Sequence, residues 1–385
     1  AKGNYSINGK ITIDTYENVW GWNKNTDPTS YDLPEIYGAI RGDVGGNIIV
    51  NVHGSHVQNI FGASDSTVEG TVTVNVTDAE LKNSLYDTDD DEGYVFGLWE
   101  KGIPSTASGP VTVNIDGGDI GLVMVTDQAT APAGSSINVT GKPNIRMGIR
   151  GTQALKYSTE FPVANIHACE AEIPFIKMMS QVNITENSNI NVHVMTNNAG
   201  LLVKKGSTLI TDENQVYIWG NTVINGTWEQ NHSQTADYND IFISGNTEIG
   251  ESGHLINHGT SNLKGTVTNK GVMALMAPAY LQNDYSSDNG ELRLPAVITN
   301  YDGKSDGAKI PVVIKGNSTG TTTVNTVDPA NWQTLKKPSL GDNYILSRKS
   351  GDAPAQDIFL LGNEDALKSG WFPFLDPRQR RYHRS

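Results

Sequence analysis

Gly46-Asn-Ile-Ile-Val-Asn-Val52 is the first of four close copies of one phrase in this sequence of 385 residues. The other copies begin at Gly70, Gly109 and Gly134, and a looser one, Gly9-Lys-Ile-Thr-Ile-Asp14, precedes them. Apolar and polar residues alternate within each copy, which is typical of a β-strand with one buried face. The alternation predicts that these side chains point into a core: Ile48, Val50, Val52, Val72, Val74, Val76, Val111, Val113 and Ile115.

The spacing of the copies predicts how the strands are arranged. The four copies begin 24, 39 and 25 residues apart, and Gly, Asn and Asp are frequent between them. A period of roughly 20 to 25 residues with short strands is the signature of a β-solenoid, in which each coil buries its apolar row by stacking on the next. We therefore expect an all-β parallel β-helix over residues 1–284.

Two intervals exceed one coil and predict inserted loops near residues 20–36 and 86–105. The first contains Trp20 and Trp22, and the second contains Tyr86 and Trp99. Insertions in solenoids lie on the surface and often form the binding face. One interpretation places these aromatic residues in the wall of a ligand-binding groove. The alternative is two unrelated surface loops.

Composition excludes several classes of function. The formal net charge is −14 and the charged fraction is 18%, which argues against a nucleic-acid-binding protein that relies on bulk positive charge. The single cysteine, Cys169, excludes an internal disulfide, and there is no Cys/His cluster of zinc-binding type. No apolar run approaches the ~20 residues of a membrane-spanning helix. We predict no metal, no cofactor and no membrane-spanning helix.

The polar positions of the repeated phrase form the first candidate binding surface. Asn51, Asn75, Asn114 and Asn138 occupy the same outward phase, so stacking would align their amides ~4.8 Å apart. Such a row can hydrogen-bond a polymer, although it is also an ordinary wettable strand face. Asn75, Asn114 and Asn138 are predicted ligand-binding residues.

A basic window is the second candidate. Lys142, Arg146, Arg150 and Lys156 lie in a stretch from Asp127 to Glu160 that has no acidic residue between its ends. If they converge, these four residues would attract a polyanion. The alternative is a chance deficit of acidic residues.

The C-terminal sequence provides a family resemblance. Gly290-Glu-Leu292-Arg-Leu294, Ser305-Asp306, Ile314-Lys-Gly316-Asn-Ser-Thr-Gly320 and Phe359-Leu-Leu361 follow one another. This succession resembles the pertactin-like end of autotransporter (type V secretion) passenger domains over roughly residues 285–375. Three departures from the family pattern are the extra Gly307-Ala-Lys309, the segment Phe372-Pro-Phe-Leu375 and the basic segment Arg378-Gln-Arg-Arg381-Tyr-His-Arg384.

The resemblance implies a secreted right-handed parallel β-helix with a pertactin-like autochaperone cap over 285–375 and a linker or tail over 376–385. It also implies export through the periplasm and outer membrane to the bacterial cell surface. In the family a membrane β-barrel follows the passenger. We expect no such barrel within these 385 residues, and membrane contact would be expected through a barrel alone.

Catalysis is not expected. Right-handed β-helices include pectin-degrading enzymes, and Asn25-Thr26-Asp27 and Asp89-Asp90 match parts of their sites. However, the Gly-His-Gly and Arg-x-Lys segments of those sites are absent, and both matching pieces lie in predicted loops, where carboxylates are poorly held at a fixed separation. The acidic run 87–92 lacks the spacing of an EF-hand and is expected to be a solvated loop.

Two functions are compatible with these features. The first is a non-catalytic adhesin that binds a host glycan of glycosaminoglycan type or an extracellular matrix protein such as fibronectin. The second is a self-associating adhesin that promotes aggregation and biofilm. A long uninterrupted polar ladder favours self-association, whereas aromatic residues in insertions favour a distinct ligand, because aromatic side chains dominate interfaces.

Overall fold

A computed structural model describes residues 5–16, 33–82, 93–154, 160–212, 216–231, 241–277, 279–295, 312–314, 316–328, 330–335, 346–348 and 359–361. Every regular element in these ranges is a β-strand. The chain divides into two compact units, Ala1–Gly200 (unit 1) and Leu201–Ser385 (unit 2).

Unit 1 contains the strands that carry the repeated phrase and the strands that follow each copy. They are β1 Tyr5–Ile7, β2 Ile11–Tyr16, β3 Ile36–Ile40, β4 Gly42–Val44, β5 Ile48–His53, β6 His56–Val57, β7 Ile60–Ser64, β8 Thr67–Val68, β9 Val72–Thr77, β10 Glu80–Leu81, β11 Tyr94–Trp99, β12 Thr106–Ala107, β13 Val111–Asp116, β14 Asp119–Thr126, β15 Ser136–Gly141, β16 Asn144–Arg150, β17 Val163–Lys177, β18 Gln181–Thr185 and β19 Asn189–Asn198.

The strands of unit 1 stack in parallel, coil upon coil. The phrase-bearing strands pair in the order β2, β5, β9, β13, β15, β17 and β18. A second stack contains β3, β7, β11, β14 and β16, and a four-stranded parallel sheet contains β1, β4, β8 and β12. This arrangement is consistent with a β-solenoid and confirms the all-β parallel fold expected from the period.

The core of unit 1 follows the alternation of the phrase. All nine side chains that were predicted to point inward are at most 1% exposed. A column of glycines, Gly38, Gly62 and Gly97, faces this core from the second stack. A Cβ atom at Gly62 would lie 2.4 Å from Val72 Cγ1, so the two stacks approach too closely there for a side chain.

Unit 2 has shorter strands. They are β20 Leu201–Val203, β21 Thr208–Thr211, β22 Val216–Ile218, β23 Thr222–Ile224, β24 Thr227–Gln230, β25 Ile241–Ile243, β26 Thr247–Ile249, β27 His254–Asn257, β28 Ser261–Leu263, β29 Val267–Asn269, β30 Val272–Leu275, β31 Ala279–Leu281, β32 Tyr285–Pro295, β33 Val312–Ile314, β34 Ser318–Asp328, β35 Asn331–Leu335, β36 Leu346–Arg348 and β37 Phe359–Leu361.

Three parallel stacks form unit 2, and each coil contributes one strand to each stack. They run β20-β23-β26-β29, β21-β24-β27-β30 and β22-β25-β28-β31. Parallel pairing continues into β32 and β33, and β35 returns antiparallel on β34. The handedness of the coils and the boundary at residue 284 remain predictions.

Candidate functional site

Asparagine side chains on the phrase-bearing strands form a continuous hydrogen-bonded ladder in unit 1. Backbone register aligns Asn51 with Asn75, Asn75 with Asn114, and Asn114 with Asn138. Each Nδ2 donates to the Oδ1 of the residue before it, at 2.6 Å for Asn75 to Asn51 and for Asn114 to Asn75, and at 2.7 Å for Asn138 to Asn114. These side chains are half-buried and lie on the outer face of the strands.

The ladder is longer than the sequence pattern predicts. Asn165 donates to Asn138 and Asn183 donates to Asn165, both at 2.8 Å. At the other end Asn51 Nδ2 donates to Asp14 Oδ1 at 2.5 Å. The sequence indicates these additional members by their position alone, because each of them occupies the asparagine position of a less regular copy of the phrase. We call the row from Asp14 to Asn183 the amide ladder.

The amides of the ladder keep part of their hydrogen-bonding capacity. An amide has two N–H donors and two acceptor lone pairs, and a ladder bond on each side uses one donor and one acceptor. All the amide dipoles point the same way, with their N–H ends directed toward Asp14. The last hydrogen bond of the row, from Asn51 to the Asp14 carboxylate, is charge-assisted. Thr73 and Thr112 form a parallel column beside it, in register with each other. The ladder therefore presents a polar pattern that repeats at ~4.8 Å, the strand spacing.

We expect Asn114→Ala to lower the free energy of unfolding by about 1–2 kcal/mol, because it removes two side-chain hydrogen bonds worth ~1 kcal/mol each. Urea unfolding followed by circular dichroism measures the change. Thr112→Ala, on the same strand and half-buried like Asn114, is the matched control and should cost less than ~0.5 kcal/mol. Equal losses in the two variants would contradict the energetic role of the ladder.

Two of the predicted basic residues, Lys142 and Arg146, pair with carboxylates. Lys142 Nζ lies 2.5 Å from Glu170 Oε2, and both side chains are well exposed. Arg146 pairs with Asp119 and also donates to the Leu81 carbonyl at 2.7 Å. Arg146 is therefore tied into the coil, whereas the exposed Lys142–Glu170 pair can exchange partners.

Arg150 lies at the end of β16, half-buried, and donates through Nε to the Thr152 carbonyl at 2.8 Å. Burial lowers its pKa. Its backbone is in register with Lys177, a cation that sequence reasoning missed because it lies outside the basic window. Lys156 lies outside the described residues. Carboxylates from other coils thus reduce the local positive charge that the sequence predicts at Lys142 and Arg146.

Trp99 belongs to an aromatic cluster on β3, β7 and β11. Tyr37, Phe61 and Phe96 are in register, and the Trp99 ring stacks on Phe61 with centroids 4.2 Å apart. Phe61 is fully buried, while Tyr37 and Trp99 are half-buried. Trp20, Trp22 and Tyr86 lie outside the described residues, so the groove remains a prediction. Trp99 itself is a half-buried ring that packs on Phe61.

A buried carboxylate holds the turn that follows Trp99. Asp65 Oδ1 accepts the backbone N–H groups of Lys101, Gly102 and Ile103 at 2.8, 2.9 and 3.1 Å. Burial alone raises the pKa of Asp65, but these donors together with Arg41 outweigh it, and the pKa is lowered. Asp65 stays ionised and keeps the Lys101 ammonium near Trp99, 5.3 Å from the ring centroid.

Asp127 also bonds to the chain near this turn, but its environment shifts its pKa in the opposite direction. Its Oδ2 accepts the Glu100 N–H at 2.8 Å, while Oδ1 is buried and has no hydrogen-bond partner among the described residues. Burial raises the pKa of Asp127 to about 6, and the charges of Glu100 and Asp65 add to the effect. At neutral pH this ionised carboxylate destabilises the folded chain.

We expect Asp127→Asn to raise the free energy of unfolding at neutral pH by about 1–2 kcal/mol. This value is smaller than the free energy that corresponds to the full pKa shift, because the Asp127 carboxyl group is partly solvated. The folded pKa of about 6 exceeds the ordinary 3.8. Between these values the folded protein retains a proton that the unfolded chain releases, so this group lowers stability as pH rises from about 4 to about 6.

Denaturation of both proteins across this pH range checks the expectation. The gain from Asp127→Asn should be present above about pH 6 and should vanish near pH 4. Glu100→Gln, which leaves the backbone donor to Asp127 in place, is the control for removing a neighbouring charge. A gain that does not depend on pH would contradict the assignment.

Other chemistry is sparse in the described part of the chain. No group of three or more His, Cys, Asp or Glu side chains in those residues has a geometry that could hold a metal ion. Cys169 is a free, buried thiol whose pKa is raised by burial to about 12, which makes it a poor nucleophile. Among the same residues, no helix has the length and apolar character to cross a membrane. The acidic run 87–92 lies outside them.

Comparison with protein-family models, curated proteins and solved structures finds no match to this chain.

Proposed function

We propose that this protein is a non-catalytic adhesin of the bacterial cell surface that binds a repeating polymer, either a host glycan of glycosaminoglycan type or an extended matrix protein such as fibronectin. The observation that carries the proposal is the amide ladder. It offers six half-buried amides with spare hydrogen-bonding capacity on six phrase-bearing strands, and the Asp14 carboxylate on a seventh.

The C-terminal motifs support the cell-surface assignment. We infer a right-handed β-helix with a pertactin-like cap, in keeping with the resemblance to autotransporter passenger domains. Within 285–375, β32 and β34 pair in parallel over most of their length, and β35 folds back on β34. Parallel pairing continues from β34 to β37, and a strand that folds back, such as β35, covers part of an edge that would otherwise invite aggregation.

The cation that best suits an anionic glycan is Lys142. It follows β15, the strand of Asn138, and its bond to Glu170 is exposed. Exposed ion pairs are weak and salt-sensitive, so a sulfate group can displace Glu170. Arg146 is less suited, because its guanidinium already serves Asp119 and a backbone carbonyl.

Thr112→Glu tests the proposal, since it places a bulky charge beside the ladder without removing a ladder amide. Binding of heparin and of fibronectin to the full chain is measured by surface plasmon resonance at two salt concentrations. We expect Thr112→Glu to weaken binding about tenfold or more and Lys142→Ser to weaken heparin binding about two- to fivefold.

Thr67→Glu is the matched control, because Thr67 is an exposed threonine of unit 1 on a different sheet, in β8. It should leave binding unchanged. Binding of neither ligand by the parent protein, or equal losses in the two threonine variants, would reject a binding site at the ladder. A loss confined to Lys142→Ser would place the site at the basic residues instead.

Self-association is the second candidate, because the ladder is uninterrupted from Asn51 to Asn183. Two copies that align their amide ladders would form many weak hydrogen bonds. The fraction of associated protein would then rise with protein concentration. Sedimentation velocity distinguishes this function: Thr112→Glu should then abolish a concentration-dependent species that Thr67→Glu retains.

A further inference from the structure

Unit 2 presents a second, chemically different outer face on β22, β25, β28 and β31. Backbone register aligns Tyr217, Phe242, Asn262 and Tyr280 in one outward column. Backbone pairing continues one residue beyond each strand through the N–H groups of Ser244, Lys264 and Gln282. The next outward column therefore contains Trp219, Ser244, Lys264 and Gln282. We call these eight positions the ring face.

The rings of this face are accessible. Trp219 is 41% exposed and Tyr280 is 38% exposed, whereas the alternate residues of the same strands are buried in the core. Tyr217 and Trp219 both contact Phe242, with centroids 5.5 and 5.7 Å apart. Tyr217, Phe242 and Trp219 thus support one another, and this packing lowers the entropy lost when a ligand stacks on them.

Polar groups lie between the rings. Gln282 Nε2 donates to Asn262 Oδ1 at 3.1 Å, which leaves each amide further hydrogen-bonding capacity. The Lys264 ammonium lies 4.9 Å from the Phe242 centroid, so it rests on a ring at the centre of the face. Aromatic and polar groups therefore lie beside one another on strands spaced ~4.8 Å apart, with Asn262 between the rings of Phe242 and Tyr280.

The charge of the ring face indicates the class of ligand that it fits. The eight positions include one cation and no acidic residue. A sulfated polymer requires several cations, because each exposed ion pair contributes little. An apolar peptide would bury the Asn262 and Gln282 amides without satisfying them. A chain of uncharged sugars has apolar C–H faces that stack on rings and hydroxyl groups that hydrogen-bond amides.

We propose that the ring face is a binding site for an uncharged glycan chain, with Trp219 and Tyr280 as the stacking platforms and Asn262 and Gln282 as hydrogen-bonding partners. This site is independent of the amide ladder in unit 1, and its test does not depend on the proposed function.

Affinity electrophoresis of the full chain in native gels that contain galactomannan, xylan, a soluble β-glucan or heparin tests the proposal. At least one uncharged polysaccharide should retard the protein, to the same extent at low and high salt. Trp219→Ala and Tyr280→Ala should each lower the association constant about tenfold, the scale of one lost aromatic contact. Tyr280→Phe should bind within about twofold of the parent, because the ring remains.

Tyr16→Ala is the matched control, because Tyr16 is an aromatic residue of unit 1 that is 60% exposed. It should not alter retardation. Ser244→Glu removes no packed ring and should also weaken binding, which keeps the test valid if an alanine variant folds poorly. Retardation by heparin alone, by no polysaccharide, or equally in Tyr16→Ala and Trp219→Ala would overturn the proposal.

Discussion

Replacement of Trp228 by alanine is expected to lower the free energy of unfolding by about 3–5 kcal/mol, the cost of deleting a large buried aromatic side chain. Trp228 lies on β24, is fully buried, and is in register with Leu209 on one side and Leu255 on the other. Its indole Nε1 donates to Thr211 Oγ1 at 3.0 Å. The substitution therefore leaves a cavity between apolar neighbours and removes one of the two side-chain hydrogen bonds of the buried Thr211 hydroxyl, which still donates to Gln230 Oε1.

Trp228→Phe separates these two contributions. It keeps most of the ring volume but no donor, so we expect a smaller loss, of about 1–2 kcal/mol. Guanidinium unfolding followed by far-ultraviolet circular dichroism measures both variants without relying on tryptophan fluorescence. A loss below about 1 kcal/mol for Trp228→Ala would contradict the packing described for unit 2.

Gly62→Ala is expected to cost about 2–3 kcal/mol, because it overpacks the contact between the two stacks of unit 1. The new Cβ would lie 2.5 Å from the Gly97 carbonyl oxygen and 2.4 Å from Val72 Cγ1. The Gly97 carbonyl cannot move aside without loss of backbone hydrogen bonds between the strands. A change of side-chain rotamer therefore does not relieve the strain.

Gly45→Ala is the control for this prediction. The nearest atoms to a Cβ at Gly45 are 3.5 and 3.6 Å away, which is ordinary van der Waals contact. We expect a change within about 0.5 kcal/mol, measured by the same unfolding experiment. Similar costs for the two glycine variants would show that the close approach at Gly62 does not limit stability.

Part of the candidate site could be predicted from the sequence. Asn75, Asn114 and Asn138 align because their copies of the phrase have the same internal spacing, and a strand alternates sides with every residue. Asn165 and Asn183 have the same phase but were not selected, because their copies contain fewer of the repeated residues. The ligand-binding role of all these side chains remains a prediction.

Local sequence could not show which acidic residues lie beside the basic window. Lys142 and Arg146 are separated from acidic residues along the chain, yet Glu170 and Asp119 lie beside them in space. The partners are 28 and 27 residues away, about one coil, and belong to stacked strands. A local count of charges could not show this neutralisation, because a parallel solenoid brings together residues that are one coil apart.

The repeated phrase and its period-two alternation were sufficient to predict the all-β parallel fold and the inward valines and isoleucines of unit 1, because both depend on local strand geometry. The aromatic cluster around Phe61 and the ring face of unit 2 depend on how the strands stack and could not be read from the chain. Tyr217, Phe242, Asn262 and Tyr280 lie 25, 20 and 18 residues apart. These unequal intervals conceal their alignment, since the turns between strands absorb the differences and the stacking of buried side chains sets the register.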